Sequence, residues 1–190
     1  MATGLLILRV VIGALFVGHG TQKLFGWFGG HGLDGTARFM ESLRYRNGRV
    51  AAVAAGLAET AGGLLLILGF LTPLAAAAII GVMLNAIATV HLRSGLWNTN
   101  GGIELPLVYA VVAGTLAFTG PGAFSVDSWF DLSMAGIPYG IGAALIGVLA
   151  GMAALALRRA ESSSGAPDAP HEVGVPVPES SETQGQPAAA

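Results

Sequence analysis

Three side chains with the means to carry protons stand inside otherwise apolar stretches of this sequence: His19, Lys23 and Glu59. An imidazole, an ammonium and a carboxylate at bilayer depth are costly, so each requires a partner, a proton or a route to water. Together they form a set able to hydrogen-bond and protonate the oxygens of a small ligand. Asn85, His91 and Glu104 add polar groups nearby and are candidates for cofactor contacts. With a rise of 1.5 Å per residue, Glu59 lies roughly 13 Å from the nearer edge of its segment, Asn85 roughly 12 Å and His19 about 9 Å. His91 and Glu104 fall near the boundary. Arg9 stands apart toward the other edge, where Asp127 is its natural partner for a structural ion pair.

The elements that must position these groups are membrane spans. The chain has 190 residues, 53% hydrophobic and 11% charged, where a soluble domain carries about 25% charged residues. Apolar segments run over about Leu5–Phe25, Val50–Leu71, Pro73–Leu92, Ile103–Thr119 and Ile137–Leu157. A helix needs roughly 17–25 residues to cross the hydrocarbon, and the fourth segment barely reaches that. Segment one reads as a span, not a cleaved leader, because its apolar run continues to Lys23 with no small-residue cleavage site. Thr72-Pro73 reads as an N-cap followed by proline, so segments two and three form a tight antiparallel hairpin. Thr36–Arg46 reads as a short amphipathic surface helix stopped by Asn47-Gly48. From residue 160 the sequence is Ser-, Pro-, Glu- and Ala-rich without apolar period, the composition of a disordered tail.

The helix faces agree with the chemistry. Ala52, Ala55, Gly56, Glu59, Gly62 and Gly63 share one side of segment two, a small-residue face that lets helices approach closely. Glu59 is therefore expected to point into the bundle, where Glu59, Asn85, His19 and Lys23 would line a polar cavity open toward the cytoplasm. The plainer reading is a set of interhelical hydrogen bonds that fix packing register. Asn85 alone suits that role, Glu104 suits the positive end of its helix, and His91 beside Arg93 suits an interfacial anchor.

Charge placement sets orientation and excludes some functions. Arg38, Arg44, Arg46, Arg49, Arg93, Arg158 and Arg159 fall on one side of a five-span chain, which predicts an outside N-terminus and a cytoplasmic C-terminus. Trp27, Phe28 and Trp97 would mark one interface, Trp129 and Phe130 the other. A net charge of −2 gives no reason to expect nucleic acid as a partner; the lipid bilayer is the partner the composition demands. With no cysteine, thiol exchange, thiolate-held zinc and all-cysteine iron–sulfur clusters are excluded within the chain. Gly30-His31-Gly32-Leu33-Asp34-Gly35 spells a dinucleotide fingerprint, but that motif needs a preceding strand, and here it follows a membrane helix.

A pattern of spaced residues carries a resemblance. It comprises Arg9, Gly13, Phe16, Gly20 and Lys23, then Glu59, Gly62, Gly63 and Gly69, then Met83 and Ala86. Gly102, Glu104 and Pro106 follow, and then Gly120-Pro121-Gly122 with Ser125-Val126-Asp127. Over about Leu5–Asp131 the chain resembles the DoxX family of small bacterial membrane proteins. That resemblance implies an all-α antiparallel four-helix membrane domain over 1–131, to which this sequence adds a further span over 132–159 and the tail from 160. It also implies an association with redox metabolism, because relatives include the membrane subunit of thiosulfate:quinone oxidoreductase. The leading expectation is a quinone-site or membrane-anchoring subunit working with a soluble redox enzyme. The alternatives are a non-catalytic scaffold whose surface helix and tail recruit soluble partners, and a small-molecule carrier, for which the chain is short unless a homo-oligomer compensates.

Overall fold

In a computed structural model the described residues are 1–132 and 134–159. The tail expected from residue 160 onward lies outside the described residues. Residues 1–159 form one compact unit, built from α1 (Ala2–Phe25), α2 (Gly32–Ser42), α3 (Gly48–Leu68), α4 (Thr72–Ala86), α5 (Glu104–Thr119), the single turn α6 (Val126–Trp129) and α7 (Ile137–Ala156). A π-helical turn over Ile87–His91 extends α4. Four helices are long and apolar enough to cross a membrane, and α5 is a shorter apolar helix.

Glycine sets the α1–α3 contact. A Cβ at Gly13 would stand 2.5 Å from the Gly63 carbonyl, and one at Gly63 would stand 2.5 Å from the Gly13 carbonyl. Seven residues along, Gly20 faces Gly56 and Thr60 just as closely. Two backbones in contact at this heptad spacing make an antiparallel seam without room for side chains. The small-residue face anticipated on α3 is the one that packs: Ala52, Gly56, Glu59, Gly62 and Gly63 are all buried.

The α4–α7 contact uses the same device with the helices parallel. Gly147 lies against Ala77 and Ile80, and Gly151 against Gly81, Leu84 and Asn85, so the two helices advance together. Parallel α4 and α7 require α5 to return the chain across the bundle, although its 16 residues span only about 24 Å. The termini of the unit accordingly lie at opposite ends. Ala2 and Leu5 lie beside Gly122, whereas Arg158 meets Leu43. These are called the Asp127 end and the Tyr45 end below.

Two boundaries differ from expectation. Asn47 is not a stop for α2 but the N-cap of α3, its side chain accepting from the Val50 amide at 3.0 Å; α2 ends earlier, before Arg44 at φ 69. Thr72 is likewise not the cap of α4. That position belongs to Leu71, held left-handed at φ 47, a conformation costing a branched residue about 1–2 kcal/mol. What holds Leu71 there comes from another part of the chain.

Candidate functional site

Lys23 and Glu59 form an ion pair across the α1–α3 seam, Nζ to Oε2 at 2.5 Å. The seam's register places Lys23 level with Val53, some six residues along α3 from Glu59. Helical side chains lean toward their own N-terminus, and in antiparallel helices that tilts Lys23 and Glu59 toward each other. Two long side chains therefore close a gap of about 9 Å in height. Glu59 is 3% exposed, while 27% of the Lys23 side chain remains accessible. The pair thus has a sealed carboxylate behind and a partly open ammonium in front.

His19 sits one turn before Lys23 on α1 and is exposed on the surface of the bundle. No hydrogen bond joins it to Glu59. His19 thus does not line a polar cavity open toward the cytoplasm, as the sequence suggests, but is an outward group beside the pair. Sequence spacing brings His19 and Lys23 to one flank of α1; it does not reveal that α3 covers only part of that flank.

Asn85 belongs to a different site. Its Nδ2 donates to Gly81 O in its own helix at 2.9 Å and to Gly151 O of α7 at 3.1 Å. Its Oδ1 accepts from the Tyr45 hydroxyl at 2.7 Å. These side-chain bonds of Asn85 go to α4, α7 and the α2–α3 connection and none goes to Glu59, so the four-residue cavity anticipated from sequence divides in two. Sequence gives no sign of Tyr45 in this network, because nothing about a lone tyrosine in a basic loop signals that it is only 8% exposed. Burial pushes its phenol above the ordinary value, against a smaller opposing effect of Arg158.

His91 and Glu104 fold the α4–α5 connection. His91 Nδ1 lies 2.6 Å from Gly101 O, and Glu104 Oε2 accepts from the Asn98 amide at 2.9 Å. Both spend these groups on local backbone. At the other end of the bundle Arg9 and Asp127 are each 0% exposed, yet they do not share a hydrogen bond. Arg9 donates to Leu66 O and Ile67 O at the end of α3 and to Phe124 O. Asp127 accepts from the Leu71 and Thr72 amides at 2.8 and 3.1 Å and from Thr72 Oγ1 at 2.9 Å. The expected side-chain pair is thus replaced by two helix caps: a cation on the carbonyl end of α3 and an anion on the amide end of α4. Asp127 is what holds Leu71 in its left-handed turn. A separate apolar cavity of about 250 Å³ opens beside Leu71, Pro73, Tyr139 and Ile146, where α4 and α7 begin.

Four helices long and apolar enough to cross a membrane, with a shorter apolar fifth, packed at two glycine seams, define a multi-pass membrane protein. Residues 4–92 match the DoxX family. The chain is 33% identical over 132 residues to the inner membrane protein YphA of Escherichia coli K12, covering 65% of this chain and 87% of that protein. It is also 33% identical over 134 residues to an uncharacterized protein of Haemophilus influenzae Rd, covering 66% and 90% respectively. No solved structure matches. The chain belongs to the DoxX family.

Proposed function

We propose that this protein is a quinone-site or membrane-anchoring subunit of an oxidoreductase complex, oriented with its Tyr45 end in the cytoplasm. The observation that carries the reading is the outward imidazole of His19 beside the Lys23–Glu59 pair. An ionisable side chain facing out of a membrane bundle needs a polar partner brought to it. A quinone head group diffusing in the lipid offers carbonyl oxygens at that depth. His19 and the accessible Lys23 ammonium supply hydrogen bonds to such oxygens, and the Glu59 carboxylate behind them holds Lys23 in place and can accept a proton. Lacking cysteine, the chain relies on a soluble redox partner for electrons. Orientation follows from the arginine-rich connections, all of which gather at the Tyr45 end.

The test is mass spectrometry of what co-purifies from native membranes in mild detergent. A stoichiometric quinone or redox enzyme is the expected result, with quinone lost from His19→Ala. A preparation free of both overturns the proposal.

A further inference from the structure

The Tyr45 end carries a basic structure that neither the bundle's packing nor the His19–Lys23–Glu59 site uses. Where α7 ends, the chain pairs antiparallel with the α2–α3 connection, residue Tyr45 against Arg158. Arg46 N donates to Leu157 O at 3.2 Å, and Arg159 N donates to Arg44 O at 2.8 Å. Arg158 turns inward, its Nε donating to Leu43 O at 2.8 Å and its guanidinium 6.0 Å from the Tyr45 ring centre. In a paired extended segment, alternate residues face opposite ways. Arg46, Leu157 and Arg159 thus lie on the side away from Tyr45 and Arg158, and all three are exposed, as is Arg44.

Helix length fixes the depth of this ladder. The 20 residues of α7 span about 30 Å, the thickness of the hydrocarbon. The residues that follow at once, Leu157 to Arg159, therefore stand where lipid phosphates begin. From these positions we infer that Arg46 and Arg159 form a head-group site for an anionic phospholipid, with Leu157 against the upper acyl chain. Guanidinium groups match phosphate oxygens in a fork-like geometry that an ammonium does not reproduce. Among the described residues, the acids on α2 are Asp34, engaged by Arg49 at 2.9 Å, and Glu41 near its end. The site holds for either orientation of the protein, and so stands or falls separately from the quinone reading.

The full chain, reconstituted in nanodiscs of equal phosphatidylcholine and phosphatidylglycerol and released into the gas phase, reads the site directly by native mass spectrometry. The expected result is selective retention of phosphatidylglycerol, weakened about thirtyfold in R46Q/R159Q by the loss of two arginine contacts at about 1 kcal/mol each. R46K/R159K retains an intermediate amount. R38Q/R93Q, which alters two exposed arginines elsewhere at the same end, leaves retention unchanged. Equal loss in R38Q/R93Q overturns the site in favour of diffuse charge, as does equal retention of both lipids by the unaltered chain. A folded R46Q/R159Q protein with unchanged retention overturns it as well. Competition by millimolar inorganic phosphate as effective as that by lipid would assign the patch to free phosphate and overturn the lipid.

Discussion

Lys23 and Glu59 are offset by about 9 Å along their helices and yet meet at 2.5 Å, because the N-terminal lean of helical side chains brings them together from opposite directions. The geometry depends on the antiparallel seam: in a parallel pair both side chains would lean the same way and the offset would persist. Removing one partner leaves the other as an unpaired charge in an apolar setting. Lys23→Met is therefore expected to lower stability at neutral pH by about 3–5 kcal/mol, and Lys23→Met with Glu59→Met to recover most of that loss. Thermal unfolding in detergent, followed by tryptophan fluorescence, measures both. A double variant no more stable than the single one would contradict the pair.

The seam itself is tested by two glycines on one helix. Gly20 touches Gly56 and Thr60, whereas a Cβ on Gly18 meets nothing within 4 Å. Gly20→Ala should destabilise by about 1–3 kcal/mol through forced separation of α1 and α3. Gly18→Ala should be neutral or slightly stabilising, since alanine is the better helix former. Similar losses from both would mean that α1 packs through another face.

At the Asp127 end, exchanging the charges of Arg9 and Asp127 discriminates between a side-chain pair and two caps. A pair survives exchange. Two caps do not, because Arg9→Asp puts an anion on carbonyls at the end of α3 and Asp127→Arg puts a cation on amides at the start of α4. The double variant is expected to express as poorly as either single one, judged by the monodisperse fraction on size-exclusion chromatography. Recovery of wild-type yield would favour the pair.

These caps also mark the limit of what the sequence reveals. The spans, the small-residue face of α3 and the inward aim of Glu59 follow from helical periodicity, and periodicity is local. Apart from the Thr72 hydroxyl, the partners of the Arg9 and Asp127 side chains are backbone groups more than 50 residues away, and a backbone group has no letter in the sequence. Asn47 reads equally well as the end of one helix or the start of the next, and only the left-handed turn at Arg44 decides it. Asn85 and Glu59 have similar depths but different azimuths, because α4 gives one face to α3 and another to α7. Depth was legible; the choice of neighbour was not.

Tyr45 supplies a pH dependence. Burial raises its phenol above the ordinary value, so the folded protein keeps the proton that the unfolded chain releases at about pH 10. The stabilisation linked to this proton is fully present below that pH and is lost as pH rises through the higher folded value. Tyr45→Phe removes the hydroxyl that donates to Asn85, costs about 1 kcal/mol near neutrality, and flattens the alkaline limb. Melting curves from pH 7 to 11 should show the two proteins converging as the wild type loses its advantage; parallel curves would separate Tyr45 from the effect.

The quinone reading turns on whether Glu59 responds to a redox event at the lipid-facing surface. Infrared difference spectroscopy of the reconstituted protein with ubiquinone, between the oxidised and reduced states, observes its carboxyl directly. The expected result is a carboxyl band that changes on quinone reduction, disappears in Glu59→Gln and weakens in His19→Ala. A difference spectrum in which every carboxyl band survives Glu59→Gln would contradict the claim that this group serves a quinone.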